Sequence, residues 1–549
     1  MTGSVQGIRR YTGTFAGQLA LILLLFIPCR ILCMDVFFQG FLHFFDWLNG
    51  RLFGMGHAPA LFVQGPYHGC SIICSAFLNP WFSAAVLLLY LPLFVGRKRI
   101  NAKENYKWQE RLLVGVIAFV QVWELCTYQY NFYLDSAFYL DRILLPVLFL
   151  LLLRYRMVLP LFIAAVFVYR SQFNYPVDGF PLLDVWLLYY LLIAYLAYMY
   201  AQLIVRAVKV PFTYIALCIV GATYFYSGMK KIMISPHGYE WLLHNNPAYL
   251  FMNMHLLGWR ANASQGAVTG LYNLLTGYKV PLQLIVLLIE LSGLFFLRSR
   301  KLGVALLALC IFMHLGIFAI GSTIFWKWLL VELSLILILV YEKKMPDAQL
   351  FSKRSFVLSL VAIVSSPLWL QPNMYGWHDT PVNQYFSFEV TDDKGNNYEM
   401  PKNEMNPYHQ WFQFNTFHFL LKDQPSLWVT SFGFTGHYKL LQDIELGGPN
   451  GYNDLLSTYG RGTVDSAKTE KYHEFIKTYF RNRNKRLGYR FIPFMLHTPY
   501  HLYNSVAGPA YHDQAPVTRF RVVYHVTYVE EGKVITLINK IVDEVTIGY

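Results

Sequence analysis

The chain has 549 residues, of which 55% are hydrophobic and only 14% are charged. Soluble domains carry roughly a quarter charged residues, so this composition, with a mean hydropathy of +0.35, excludes an ordinary soluble protein. The formal net charge of +13 does not indicate a nucleic-acid-binding protein, because the basic residues form short clusters between apolar runs. That arrangement suits membrane topology and anionic lipid headgroups.

The first apolar run, residues 15–33, follows Arg9 and Arg10 and is long enough to be a transmembrane helix. Because it has no small-residue cleavage site, we expect it to stay in place and not to be removed as a signal peptide. Ten further apolar segments indicate more helices: 81–96, 112–129, 138–153, 157–170, 183–205, 211–229, 280–297, 302–320, 324–341 and 355–370. Residues 1–370 are therefore predicted to form a polytopic α-helical membrane domain of about eleven transmembrane helices.

Charge indicates which side of the membrane each loop occupies. The loops after the second, fourth, sixth, eighth and tenth segments contain GRKRINAKENYKWQER, RYR, RAVK, RSRK and EKK with KR. Since basic residues concentrate on the cytoplasmic side, the amino terminus is predicted to be cytoplasmic. The loop 230–279 and all residues from Gln371 onward are then extracytoplasmic, in a periplasm or a secretory lumen.

The stretch at 221–244, GATYFYSGMKKIMISPHGYEWLLH, ends an apolar segment with Lys230 and Lys231. One interpretation is that both lysines extend their ammonium groups into the lipid headgroups. The other is that one of them works as an amine base, which requires a desolvated site that favours a neutral amine. The predicted topology places both lysines outside, against the positive-inside rule, and this favours the second interpretation without excluding the first.

The outer loop continues with Tyr239, Trp241 and Trp259, aromatic residues typical of a membrane interface. Its segment NPAYLFMNMHLLGW predicts a short helix that lies on the membrane surface. Asn262 begins an Asn-Ala-Ser acceptor, which we expect to be glycosylated in a secretory-pathway host.

Several ionisable residues lie inside predicted membrane segments, where they are functional candidates by default. Glu290 and His314 are flanked by apolar residues, and His314 either has a functional role or hydrogen-bonds to a neighbouring helix. Lys327 and Glu332 bracket WLLV, and they either pair with each other or act separately. Earlier segments add acidic residues that we expect towards the outer half: Glu124, Asp135, Asp141 and Asp184.

The seven cysteines do not form a metal-binding motif with the usual two-residue gaps, and we predict no metal site. Cys70 and Cys74 are close neighbours outside a clear apolar segment. They form two free thiols, a disulfide, or part of a metal site with His68, and the free thiols are favoured.

Residues 371–549 differ in composition and predict an extramembrane α+β domain. QYFSFEVTDDKGNNYEM and RFRVVYHVTYVEEGKVITLINKIVDEVTI each contain two β-rich runs around a turn, which predicts a β-hairpin. Between them, NPYHQWFQFNTFHFLLKD and LLSTYGRGTVDSAKTEKYHEFIKTYFRNRNKR predict helical stretches. No Gly-rich phosphate loop and no Ser-His-Asp signature is recognisable.

YFYSGMKK resembles the YFIAGVKK stretch of the vitamin K-dependent gamma-carboxylase family, whose membrane part is shared with the horizontally transferred transmembrane domain (HTTM) proteins. HLGIFAIG around His314 is similar to the family's histidine-bearing span. QYFSFEVTDDKGNNYEMPKNEMNPYHQWFQF and the closing hairpin resemble parts of its lumenal domain, so the loose resemblance covers roughly residues 110–545. The family's WNNHSYL loop has RSQFNYPVDGFPLLD as its nearest counterpart here, without the histidine.

The resemblance implies a specific chemistry. Enzymes of the family oxidise vitamin K hydroquinone with oxygen, and the strong base so formed removes a γ-proton from a glutamate, which then takes up CO2. The resemblance assigns the starting amine base to Lys231, beside Lys230, with His314 as a further catalytic candidate. The pocket for vitamin K hydroquinone, or for another membrane quinol, is expected to contain Glu290, Trp241 and Tyr224.

Two classes of function stay open. The first is a quinol-dependent membrane enzyme of carboxylase type that acts on a protein or peptide substrate. The second is a non-catalytic membrane scaffold, or a subunit of a larger membrane complex, that binds partners through its outer domain. A transporter is a weaker third class, because no inverted repeat of segment lengths is recognisable. The lipid bilayer is a partner in every class.

Overall fold

A computed structural model of the protein describes residues 14–34, 76–78, 80–100, 107–127, 140–171, 186–205, 207–341, 350–401, 404, 416–422, 427, 429, 432–460, 462–488, 494–503, 506 and 508–548. Within these ranges the chain is mostly helical as far as Trp369, and its strands lie between His378 and Thr546.

A helix occupies each of the apolar segments that the sequence indicated, and further short helices lie between them. They are α1 (Phe15–Arg30), α2 (Pro80–Val95), α3 (Arg97–Ile100), α4 (Trp108–Thr127), α5 (Leu140–Arg154), α6 (Leu159–Ser171), α7 (Trp186–Ile204), α8 (Phe212–Met233), α9 (Glu240–His244), α10 (Pro247–Leu256), α11 (Gln265–Gly277), α12 (Lys279–Leu291), α13 (Arg300–Gly321), α14 (Trp326–Tyr341), α15 (Lys353–Val364) and α16 (Ser366–Trp369). The helix predicted for the outer loop is α10, and its N-cap Asn246 accepts a hydrogen bond from the backbone N–H of Ala248 at 3.1 Å.

Among the described residues, four helices are long and apolar enough to cross a membrane: Phe15–Met34, Trp186–Ile204, Phe212–Met233 and Arg300–Gly321. The helices Gln265–Gly277 and Lys279–Phe295 are bent by 66° at a short break, and they count as a fifth candidate when taken as one span. Other apolar segments form helices shorter than the roughly 20 residues that cross hydrocarbon upright, except α4, whose 20 residues include three charged side chains. The described part of the chain therefore has four or five candidate spans, and the predicted number of about eleven is not supported.

The two helices α7 and α8 lie at the centre of the helical part. Both are apolar around most of their circumference, and most of their residues are buried. α8 packs closely against the turn directly after α12, where Gly221 and Gly293 meet. A Cβ on either glycine would collide with the carbonyl oxygen of the other, so only glycine permits this approach. This close backbone contact sets the distance between the helices that carry Lys231 and Glu290.

The strands are β1 (His378–Asp379), β2 (Val382–Asp392), β3 (Asn397–Glu399), β4 (Phe434–Thr435), β5 (Val517–Glu530) and β6 (Lys533–Thr546). Four form an antiparallel sheet in the order β3-β2-β5-β6, and β1 pairs with β4. Both hairpins predicted from the sequence are present. The β2–β3 turn is closed by the Asp392 carboxylate, which accepts hydrogen bonds from the backbone N–H groups of Lys394 (2.9 Å) and Asn396 (2.7 Å).

Three helices lie between β4 and β5: α17 (Tyr438–Gly447), α18 (Leu455–Tyr459) and α19 (Ser466–Asn484). α19 packs on the sheet, with the rings of Phe480 and Phe520 centred 5.3 Å apart. A helix was also predicted at NPYHQWFQFNTFHFLLKD. The first part of that stretch lies outside the described residues, and a 3-10 turn is present at Thr416–Leu420.

The sheet contacts the helical part at the end where α8 and α13 finish. The tip of the β5–β6 hairpin packs on α10 and α11, where Val529 joins a buried cluster with Phe251 and Tyr272. The backbone N–H of Tyr503 also donates to the carbonyl oxygen of Ser322, just after α13, at 3.2 Å. The C-terminal region is therefore fixed to one end of the helical bundle.

A buried arginine holds the C-terminal region together. Arg483, near the end of α19, is fully buried, and its Nε donates to the carboxylate of Asp513. Its Nη2 donates to Oε2 of Glu404 at 2.9 Å. Because this one guanidinium group joins both carboxylates, its loss breaks a buried ion pair with Asp513 and a further one with Glu404.

We expect Arg483→Gln to lower the free energy of unfolding by about 3–5 kcal/mol, the usual effect of breaking a buried ion pair. Thermal unfolding of the full-length protein in detergent measures this change. The matched control is Lys439→Ala, which removes an exposed ion pair with Asp443 and should cost less than about 1 kcal/mol. Equal melting temperatures for the two variants would contradict the structural role of Arg483.

Candidate functional site

Lys231 lies in the last turn of α8, and its side chain is 10% exposed. Its Nζ is 2.6 Å from Oε1 of Glu290 on α12, whose side chain is 8% exposed. Gly228 permits this approach, because any residue with a Cβ at this position would place it only 3.2 Å from the Cβ of Glu290. The predicted base and the predicted pocket carboxylate therefore form a buried ion pair.

The chain that follows the last apolar helix supplies a further partner of Lys231. Nζ of Lys231 donates to the carbonyl oxygen of Tyr375 at 3.1 Å. The same Nζ lies 5.5 Å and 5.9 Å from the ring centres of Trp241 and Trp377. Both rings are within cation–π range. Nε1 of Trp241 donates to the carbonyl oxygen of Trp377 at 2.7 Å, which fixes the two indoles together. Sequence reasoning identified Trp241 and missed Tyr375 and Trp377.

Lys230 has a different environment from its neighbour. It is half-buried, and its Nζ has no ion-pair partner among the residues that the structure describes. Its stem packs against Gly376, where a Cβ would lie 2.6 Å from the Cγ of Lys230. Of the two predicted lysines, Lys231 is therefore the one with its ammonium group in the buried site.

Tyr224 lies on α8 about two turns before Lys231, and it is buried. Its hydroxyl oxygen is 2.6 Å from Nε2 of His314 on α13, and it donates to Oε1 of Glu332 on α14. The same carboxylate oxygen is 3.4 Å from Nε2 of His314. Three helices thus meet at a cluster of a phenol, an imidazole and a carboxylate, here called the Tyr224 cluster.

Lys327 and Glu332 do not pair with each other. Nζ of Lys327 is 2.5 Å from Oε1 of Glu124 on α4, and Oε2 of Glu124 is 2.5 Å from Nη2 of Arg170 on α6. Five residues along an α-helix turn the side chain by about 140°, so the two residues face different neighbours. Their interpretation as a mutual ion pair is wrong, and Glu332 belongs to the Tyr224 cluster.

Four buried polar atoms around Lys231 and the Tyr224 cluster lack a hydrogen-bond partner among the described residues. They are Oε2 of Glu290, Nδ1 of His314, Oε2 of Glu332 and Nε1 of Trp328. The ring of Trp328 lies 5.7 Å from that of Tyr224 and 6.0 Å from that of Tyr375, and so connects the two groups of residues. Because buried polar atoms are usually paired, these four have the capacity to bind a ligand or water.

Several residues named from the sequence lie outside the described part of the chain: His68, Cys70, Cys74, Asp135, Asp184 and the side chain of Asp141. The nearest counterpart of the family's histidine loop lies mostly outside it as well. Five cysteines are described, and no disulfide joins them to one another: Cys29, Cys33, Cys126, Cys218 and Cys310. Within the described ranges, no group of three or more His, Cys, Asp or Glu side chains is arranged to hold a metal ion.

Comparison of the chain with protein-family models, with curated proteins and with solved structures finds no match. The resemblance to the gamma-carboxylase and HTTM families therefore stays a prediction from short motifs. The class that the structure defines is a helical membrane-type protein with a buried lysine–carboxylate pair at one end of the bundle.

His378 and Asp379 follow Trp377 directly and are buried in β1. Asp379 is held by Asn245, which donates from Nδ2 to Oδ2 at 3.1 Å and accepts the backbone N–H at 2.6 Å. Burial raises the pKa of Asp379 to about 7, although Asn245 and the charge of Lys231 act in the opposite direction. Burial also lowers the pKa of His378 to about 4.

These two shifts have opposite effects on stability. An acid with a raised pKa binds more protons in the folded state, so Asp379 makes folding less favourable as pH rises from 3.8 to about 7. A histidine with a lowered pKa binds fewer protons in the folded state, so His378 makes folding more favourable as pH rises from about 4 to 6.5. The two contributions oppose each other in the range they share.

We expect single substitutions to separate the two contributions. The melting temperature of Asp379→Asn should rise between pH 4 and 7 relative to the parent protein, and that of His378→Gln should fall between pH 4 and 6.5. Thermal unfolding of the full-length protein in detergent, measured at steps of pH, checks both. Profiles that stay parallel to that of the parent protein would contradict the assignment.

Proposed function

We propose that the protein is an integral membrane enzyme that binds a membrane quinol beside Lys231 and uses this lysine as a base, like the gamma-carboxylases that its motifs resemble. The best support is the set of unpartnered atoms near this buried lysine, on Glu290, His314, Glu332 and Trp328. An ion pair with a purely structural role does not require such atoms, whereas a ligand with hydroxyl groups would satisfy them.

The chemistry of these atoms fits a quinol. A phenolic hydroxyl donates to a carboxylate oxygen, as Glu290 and Glu332 offer, and its oxygen accepts from an N–H, as Trp328 offers. A flat aromatic ring also packs well on aromatic side chains such as Tyr375 and Trp377. When bound, vitamin K hydroquinone would react with oxygen to supply the strong base with which the family carboxylates glutamate.

Lys231 acts as a base only in its neutral form. In a desolvated site its proton can pass to Glu290, 2.6 Å away, which leaves a neutral amine and a neutral carboxylic acid. The amine then accepts the proton of a phenolic hydroxyl, and the lysine becomes charged again. The hydroxyl of Tyr224 positions the imidazole of His314.

We also propose that all eleven apolar segments lie in the membrane, with a cytoplasmic amino terminus and with residues 371–549 outside. The basic loops support this orientation. α13 begins at Arg300 beside one basic cluster and ends at Gly321, close to the C-terminal region. α8 likewise ends where Lys231 meets Tyr375. The C-terminal region is thus attached at the helix ends far from the basic loops, as the positive-inside rule requires of an outer domain.

A second candidate function is a non-catalytic scaffold or a subunit of a membrane complex. One observation favours it: Lys231 joins α8, α12 and the segment after α16 through Glu290 and the Tyr375 carbonyl. A buried lysine with these partners also serves as a structural link. The two functions differ in whether the lysine must lose its proton.

We expect Lys231→Arg to abolish quinol turnover while the protein still folds, because arginine keeps the positive charge of the pair and does not deprotonate. Lys231→Ala should reduce turnover by about 10²-fold or more, the usual range for loss of a general base. Consumption of vitamin K hydroquinone, and of ubiquinol, by the purified protein in lipid nanodiscs measures the rate.

The control is Lys301→Ala, an exposed lysine at the opposite end of α13, which should turn over quinol at the parent rate. Parent-level turnover by Lys231→Arg would refute a base at this position. No turnover of either quinol by the parent protein, together with normal melting of Lys231→Arg, would favour the scaffold.

The proposed orientation predicts which added cysteines react from outside the cell. Asn262→Cys, in the exposed outer loop, should be labelled by a membrane-impermeant maleimide on intact cells. Lys301→Cys should be labelled only after the membrane is opened, and the parent protein gives the background from its own cysteines. The reverse pattern would show that the orientation is inverted.

A further inference from the structure

Residues 494–503, here called the 494–503 segment, run along the end of the helical bundle where α4 and α13 finish and α14 begins. Nε1 of Trp123 on α4 donates to the carbonyl oxygen of Leu496 at 2.7 Å. The backbone N–H of Ile324 donates to the carbonyl oxygen of His501 at 2.8 Å, and Leu502 forms a β-bridge with Thr323. The backbone of the segment is therefore held against the helices at both of its ends.

Two apolar side chains of this segment project away from the protein. Met495 is 93% exposed and Leu496 is 56% exposed, although the backbone beside them is hydrogen-bonded to the bundle. The adjacent surface of α4 is apolar as well, since Phe119 is 47% exposed and stacks on Trp123 with ring centres 5.7 Å apart. The exposed apolar surface of the segment thus continues the exposed apolar surface of α4.

Aromatic residues around the segment indicate how deep it lies relative to the lipid headgroups. The ring of Phe318 lies 5.1 Å from that of Trp259 and 5.7 Å from that of Tyr503. Tryptophan and tyrosine concentrate where hydrocarbon meets the lipid headgroups. The segment FMLHTPYHLY contains no Asp, Glu, Lys or Arg, so it has no charge to hold it in water or to bind a charged partner.

We propose that the 494–503 segment is a membrane anchor of the C-terminal region, in which Met495 and Leu496 insert among the lipid acyl chains of the outer leaflet. Lipid is the occupant that fits, because the apolar side chains adjoin the lipid-facing side of α4 and no charge accompanies them. The anchor rests on the proposed membrane position of α4 and the proposed outer position of residues 371–549. It is independent of the quinol site, so it holds whether or not Lys231 acts as a base.

The test is the depth of a spin label in the full-length protein reconstituted into phosphatidylcholine vesicles. Met495→Cys carries the label, and Leu496→Cys provides a second position. The matched control is Lys394→Cys, an exposed residue in the β2–β3 turn, at the opposite end of the sheet from the hairpin tip that contacts α11. The parent protein, treated with the same reagent, gives the background from native cysteines.

We expect the labels at 495 and 496 to collide often with oxygen, which concentrates in hydrocarbon, and rarely with a water-soluble nickel chelate. The label at 394 should show the opposite preference. Nickel access at 495 equal to that at 394 would place the segment in water and overturn the proposal. Exclusion of both reagents from an immobilised label would show contact with another protein, and it would overturn the proposal as well.

Discussion

The ion pair between Lys231 and Glu290 is the constraint on which the candidate site depends. Two charges that are largely removed from water must remain together, and breaking such a pair costs about 3–5 kcal/mol. The pair fixes the end of α8 against α12, and the carbonyl of Tyr375 extends the link to the chain leading into the sheet. The membrane helices and the C-terminal region therefore meet at one buried ammonium group.

The sequence predicted the helices well, because apolar runs in this chain coincide with helical segments. It also named Lys231, Glu290, His314, Tyr224 and Trp241, which the structure brings together from separate elements. It did not predict which charges pair. Glu124 and Lys327 are 203 residues apart, and such pairing depends on helix packing that no local pattern reveals. The proximity of Lys327 and Glu332 suggested the wrong pair for the same reason.

The junction after residue 370 was the part of the site that sequence reasoning missed. The two hairpins that follow it have alternating patterns and recognisable turns, whereas Tyr375, Trp377 and Asp379 belong to a stretch without periodicity. The available signal was a pair of aromatic residues directly after the last apolar segment, where an interface is expected. Hydropathy alone also does not give the number of spans, because several apolar helices are shorter than the roughly 20 residues that cross hydrocarbon upright.

A density map of the protein in lipid nanodiscs saturated with vitamin K hydroquinone shows whether a quinol binds beside Lys231. We expect a bound ring there, with a phenolic oxygen within hydrogen-bond distance of Nζ and with the ligand in contact with Glu290 and Trp328. A quinol bound elsewhere, or an unchanged Lys231–Glu290 pair with no ligand density beside it at saturation, would refute the proposed quinol site.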